Sequence, residues 1–196
     1  MCPLKVGKSV YSIIFALLVS LVGCNSESNN DAAHNEKYYY DLSGLLNKEI
    51  VYLSVAKPTI TKLTGLNGEK ETIKTAQVDW NKELELFNKL DINKPAYKNS
   101  YTTQRVDSLT TAYALIPSEK LTVRNLIIQL DSNLVTPSHI YGDVVSENKL
   151  YESTRKFSLH FSNGHLASYT VEGYQKLMFM DKRPFQVSVT VHLAGQ

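Results

Sequence analysis

Cys24, five histidines and a closely spaced pair of glutamates are the groups in this 196-residue chain whose chemistry bears first on function. Cys24 follows Leu21-Val22-Gly23 at the end of an apolar run. A thiolate attacks alkyl donors readily, and the small Gly23 leaves an enzyme room to reach the neighbouring bond. The histidines stand at positions 34, 139, 160, 165 and 192. None has the His-x-x-x-His spacing that sets two ring nitrogens on one helix face for a metal. His160 and His192 fall on polar strand faces and are expected to approach each other across neighbouring strands. With no carboxylate accompanying either histidine in sequence along those strands, the pair reads as solvated and not as a metal or acid–base site. Glu83 and Glu85 are two apart on an expected helix, so they point away from each other and cannot flank a glycosidic bond. No Gly-x-Ser-x-Gly, phosphate loop or dinucleotide fingerprint occurs. The expectation is a chain without catalytic residues, metal or cofactor.

The segment around Cys24 has a pattern of its own. Lys5 and Lys8 precede a run, Val10 to Val22, interrupted only by Tyr11, Ser12 and Ser20. That is the length of a signal-peptide core and short of the roughly 20 residues of a membrane span. Ending in Leu21-Val22-Gly23-Cys24, it resembles the lipobox of bacterial lipoproteins processed by the type II signal peptidase. The resemblance implies that the Cys24 thiol receives a diacylglyceryl group and that cleavage leaves Cys24 as the first mature residue. A further acyl chain such as palmitate is then added to its amine. At about 0.8 kcal/mol per buried methylene, two or three chains hold a protein firmly to membrane lipid. Asn25, where Asp favours inner-membrane retention in well-studied lipoproteins, implies the outer membrane. Whether the domain faces the periplasm or the exterior stays open. Over residues 1–24 the chain resembles small lipoproteins of Bacteroidota envelopes, and this transfers an anchor but no catalytic residue.

Composition narrows the rest. The formal charge is +2, and losing Lys5 and Lys8 with the leader balances basic and acidic side chains. No Lys/Arg cluster remains to track a phosphate backbone, so nucleic acid is an unexpected partner. Cys2 leaves with the leader and Cys24 is alkylated. The mature domain then has no thiol, which removes cysteine catalysis, thiolate metal sites and disulfides together.

The chain divides into a signal peptide (1–23), a flexible Asn- and Ser-rich tether (24–37) and a single α+β domain (38–196). The domain is expected to be two N-terminal helices packed on a curved, mostly antiparallel β-meander sheet. Leu42, Leu45, Leu46, Ile50 and Leu53 form one helical stripe after the cap Asp41, ended by Lys57-Pro58. Tyr38, Tyr39 and Tyr40 are expected to pack against its first turn. Thr59 to Val78 reads as a polar hairpin around Asn67-Gly68, projecting as an arm. Asp79 caps a second helix that buries Trp80, Leu84 and Phe87 and stops near Leu90. Seven strands follow, over 101–105, 109–116, 121–130, 138–145, 150–162, 165–180 and 185–193, with turn residues between them. A three-residue turn, Ser162 to Gly164, would align Leu159 with Ala167 and Phe157 with Tyr169. Leu177-Met178-Phe179-Met180 departs from alternation and is expected to pack in the interior.

Alternation also assigns a wet face. Ser158, His160, Ser168, Thr170, Gln186, Ser188 and Thr190 are expected to share it, with Gly142 and Gly173 bending the sheet beneath them. Such a surface suits a glycan or a partner protein. The expected role is a non-enzymatic, membrane-anchored envelope component acting as a binding or assembly module. The alternatives are a carrier of an apolar, lipid-like molecule beneath a curved sheet, and a glycan hydrolase whose carboxylates meet only on folding.

Overall fold

Asp41 begins the first helix by folding its carboxylate back onto the chain. Its Oδ1 accepts from the Gly44 amide at 2.9 Å, and Gly44 lets the carboxylate lie close, since a Cβ there would meet Oδ2 at 2.3 Å and push the Asp41 side chain aside. In the computed structural model, which describes residues 37–193 apart from residue 134, this helix, α1, spans Leu42–Ala56. Lys57 ends it with a left-handed φ of 46° and donates its amide to the Leu53 carbonyl. The leader, Cys24, His34 and the tether up to residue 36 lie outside the described residues.

Strands β1 (Thr59–Leu66) and β2 (Glu69–Thr75) follow as a hairpin. Asn67 and Gly68 both take positive φ, 51° and 94°, the geometry that Asn-Gly permits and that matches the twist of paired strands. The hairpin is not a projecting arm. β1 pairs with the last strand along its whole length, from Thr59 opposite His192 to Leu66 opposite Phe185. Only β2 is left at the edge, and its charged sequence Glu-Lys-Glu-Thr-Ile-Lys-Thr discourages pairing with other chains.

Helix α2 (Trp80–Glu85) is capped by Asp79 and continues as a 3-10 turn over Leu86–Leu90. Strands β3 (Tyr101–Arg105), β4 (Thr110–Leu115), β5 (Val123–Leu130), β6 (Pro137–Glu147), β7 (Tyr151–Ser162), β8 (His165–Leu177) and β9 (Arg183–His192) then run as an antiparallel meander. The nine strands form one sheet in the order β2-β1-β9-β8-β7-β6-β5-β4-β3. Its two α-helices are the only ones among the described residues, and the second follows the hairpin instead of preceding the sheet.

The apolar set of the sheet meets the helical layer in one core. Leu42, Leu46 and Leu53 of α1, with Trp80, Leu84, Phe87 and Leu90, are buried with Ile128, Ile140, Phe157, Leu159, Tyr169 and Val189 from the strands. Phe87 stands edge-on to Phe157 and Tyr169 at ring separations of 5.7 and 5.1 Å. Gly142 is where Leu90 presses closest, for a Cβ there would lie 2.3 Å from a Leu90 methyl. Of the three tyrosines before α1, Tyr39 is buried. It packs edge-on against Tyr101 and Tyr113, and its hydroxyl reaches the carbonyls of Tyr97 and Lys98. Desolvation raises the hydroxyl pKa of Tyr40 to about 12.

Two further expectations need correcting. The β7–β8 turn is a two-residue Asn163-Gly164 turn, with Ser162 opposite His165 and Phe161 opposite Leu166. A bulge at Ala167 then restores the apolar register, setting Leu159 opposite Tyr169 and Phe157 opposite Val171. The tight turn satisfies Asn-Gly, and the extra residue keeps four large side chains on the core face. Second, Leu177 to Met180 is not interior. It forms the exposed β8–β9 tip, with Phe179 95 % exposed. The loss of alternation there marks the end of a strand.

Gly173 marks a place where β8 crowds its neighbour, since a Cβ would fall 1.9 Å from the Thr154 carbonyl oxygen. Gly173→Ala should therefore lower unfolding free energy by about 2 kcal/mol in urea titration. Gly65→Ala, whose Cβ would sit at an ordinary 3.7 Å from Gln186 O, should change it by less than about 0.5 kcal/mol. Equal effects would contradict this β7–β8 geometry.

Candidate binding face

The seven residues expected on the wet face do share it. Ser158, Thr170 and Ser188 lie side by side across β7, β8 and β9, and His160, Ser168 and Thr190 form the next row. Thr170 Oγ1 and Ser188 Oγ are 3.2 Å apart. Gln186 belongs to a third row, continued by Glu172, Lys156, Asp143 and Asn125. The face is opposite the helices because each of these positions alternates with a core residue.

Sequence reasoning missed what stands next to the hydroxyls. Tyr141, opposite Ser158 on β6, is 40 % exposed. It flanks a depression of about 320 Å³ lined also by Asn125, Ile127, Asp143, Lys156, Ser158, Thr170 and Glu172. A second depression of about 530 Å³, lined by Gln186, Tyr174, Pro184 and the Asn67-Gly68 turn, shares Lys156 and Glu172 with the first. Ser158, Thr170 and Gln186 thus line the depressions. His160, Ser168, Ser188 and Thr190 belong to the same face without lining either. An aromatic ring, hydroxyls, an amide and charges of both signs converge here. The Tyr141 signal in sequence is its position among apolar and small residues on an otherwise half-polar strand.

The histidines pair differently from the expectation. β8 separates His160 from His192, and His192 Nε2 lies 2.9 Å from Thr61 Oγ1. His160 instead faces His139 on β6, with ring centroids 4.7 Å apart, and His139 stacks parallel to Tyr141. Burial, and then the neighbouring His160, lower the pKa of His139. Its Nδ1 is buried without a hydrogen-bond partner. Among the described residues no group of three or more His, Cys, Asp or Glu is placed to hold a metal ion.

A second polar cluster lies on the helix side. Glu49 occupies the buried stripe of α1 between Leu46 and Leu53. Its carboxylate accepts from the Leu166 amide at 3.0 Å and meets His165 Nδ1 at 3.3 Å. Tyr52 stacks on the His165 ring at 3.4 Å. These groups open onto a cleft of about 400 Å³ lined also by Tyr40, Asp41, Lys48 and Pro137. A carboxylate set in an apolar helical stripe was the sequence signal for this cluster. Elsewhere on the helix side, Lys62 Nζ holds both Glu83 oxygens, at 2.7 and 3.0 Å, and the Tyr169 hydroxyl donates to the same carboxylate. Burial, and then Glu83, raise the Tyr169 hydroxyl pKa.

No protein-family model, curated protein or solved structure matches the chain. Function therefore has to be argued from these surfaces.

Two outcomes follow for the clusters. Glu49→Ala strips the Leu166 amide of its acceptor and should cost about 1–3 kcal/mol of stability in urea titration. A loss under about 0.5 kcal/mol would mean that the contact is replaced by water. Because the folded state holds the His139 pKa below its unfolded value of about 6.5, acidification protonates the unfolded chain first. Stability is then fully present above that pH and declines below it. His139→Asn should flatten this part of the profile when urea midpoints are compared at pH 7.5 and 5.5, and parallel profiles would refute the His139 assignment.

Proposed function

We propose that this chain is a lipid-anchored envelope protein, acylated at Cys24, whose domain is a non-enzymatic binding module. The hydroxyl-rich sheet face around Tyr141 is its binding surface, and a glycan strand is the ligand that suits it best. One observation supports this reading above others. Side chains from β5 to β9 converge beside an exposed tyrosine in adjoining depressions, on the face that the helices leave uncovered. Sugars present hydroxyls to serine, threonine and carboxylate partners and C–H faces to an aromatic ring, and this surface supplies both. Asp143 and Asn125 are already joined at 3.3 Å, a polar edge that a ligand hydroxyl can enter.

The carrier reading asks for an empty space beneath the sheet. The side chains of Leu42, Leu84, Phe87, Leu90, Phe157 and Leu159 occupy that region, which favours the binding module. A hydrolase reading has one specific support, the Glu49–His165 pair in its cleft. Both Glu49 oxygens are engaged, one by the Leu166 amide and one by His165. Asp41 across the cleft caps α1 and pairs with Lys37 at 3.1 Å. These carboxylates are committed to structure, and we assign Glu49 to holding α1 against the β7–β8 turn and Asp41 to capping α1.

Binding of solubilised envelope glycans, followed by calorimetry on the full chain, tests the surface. Tyr141→Ala should weaken affinity about tenfold, equivalent to about 1.4 kcal/mol, and Ser158→Ala by a smaller factor. Unchanged binding by a Tyr141, Ser158 and Thr170 triple alanine variant would end the proposal. The anchor is tested separately. Cys24→Ser should abolish palmitate incorporation and move the protein from the membrane to the soluble fraction, and firm retention of an unlabelled variant would overturn it.

A further inference from the structure

Two hairpin tips at one end of the sheet carry an apolar cluster that the core does not use. The β6–β7 connection presents Leu150, and the β8–β9 connection presents Leu177, Met178, Phe179 and Met180. Their exposures run from 39 % to 95 %. The tips are tied together, for the Met178 amide donates to the Leu150 carbonyl at 2.9 Å. Residues from both connections line a shared hollow of about 260 Å³. A turn bond from the Met180 amide to the Leu177 carbonyl fixes the second tip. Within it Phe179 holds a left-handed φ of 69°, a backbone conformation unfavourable for a bulky side chain. The fold thus retains a strained residue whose ring points into solvent.

Charge surrounds this cluster asymmetrically. Lys149, Lys176, Lys182 and Arg183 stand on the two connections and the adjoining strand ends. The acidic groups nearby are Asp181, Glu152 and Glu147. Glu152 is 3.9 Å from Lys182 and accepts from the Tyr174 hydroxyl, while Glu147 is 3.7 Å from Arg124. Lys182 also lies over the Tyr174 ring at 4.0 Å. A protruding aromatic and thioether tip with a cationic rim is the arrangement that enters a headgroup interface. The ring and methionines immerse to a shallow depth while the ammonium groups stay with lipid phosphates. We infer that this double tip is a membrane-contact site which inserts into bilayers containing anionic lipid. The inference concerns the exposed hairpin tips beyond the glycan surface, which they adjoin at Tyr174 and Pro184, and does not rest on acylation of Cys24.

The test places an environment-sensitive fluorophore on Phe179→Cys in the full chain carrying Cys2→Ser and Cys24→Ser, with Gln104→Cys as the labelled control. Vesicles of 70:30 phosphatidylcholine and phosphatidylglycerol are added, and bound chain is isolated by flotation. The label at position 179 should shift to the blue and be quenched by shallow spin-labelled lipid, while that at 104 should not change. Reversing Lys149, Lys176 and Lys182 to Glu should lower vesicle affinity about tenfold or more. A label at 179 that stays aqueous on vesicle-bound chain overturns the inference, as does failure to bind or equal immersion at both positions. A tip built to dock a protein would give the aqueous result.

Discussion

An antiparallel sheet alternates its side chains between two faces, and a single helical layer can cover only one of them. That constraint organises this molecule. α1, α2 and the 3-10 turn after it bury the apolar set of the strands, with Phe87 and Leu90 pressed against Phe157 and Gly142. The other set has no partner within the described residues and is polar along β7, β8 and β9. The pairing of β1 with β9 makes this arrangement hold. It brings the N-terminal hairpin beside the last strand, so the helices linked to that hairpin lie across the meander.

Apolar packing alone would let the helical layer slide, and two polar contacts set its position. Glu49 grips the start of β8 through the Leu166 amide, which fixes α1 over the β7–β8 turn. Glu83 takes Lys62 from β1 and Tyr169 from β8, which fixes α2 over the strands flanking β9. A buried or half-buried carboxylate with its partners in place favours one packing over its near alternatives, because a displaced helix would leave the charge without them. Directional bonds of this kind let a small apolar core specify one orientation.

Much of the sheet was legible because alternation and turn chemistry are local signals. Phe157-Ser158-Leu159-His160-Phe161 and Val187-Ser188-Val189-Thr190-Val191 declare their faces residue by residue, and Asn-Gly marks both two-residue turns. Asp41 and Asp79 announce their helices by capping. Long-range choices were not legible. Nothing in β1 says that it pairs with β9, and the Ala167 bulge resolves a competition between turn geometry and core register that spans two strands. The wet face could be read from single strands, whereas Tyr141 joins it only through pairing of β6 with β7. The Glu49 contact needed the β7–β8 turn to be in place before its acceptor role had meaning. Leu177 to Met180 misled for a physical reason, since apolar composition normally signals burial and here it accompanies exposure.

Thiol accessibility measures the sidedness of the sheet most directly, because the expected mature domain offers no competing cysteine. Ser188→Cys and Val189→Cys are adjacent on β9 but belong to opposite faces. Maleimide should modify position 188 of the folded protein readily and leave position 189 unmodified until denaturant is added. Reaction at both positions, or protection of 188 with exposure of 189, would contradict a single sheet covered on one side.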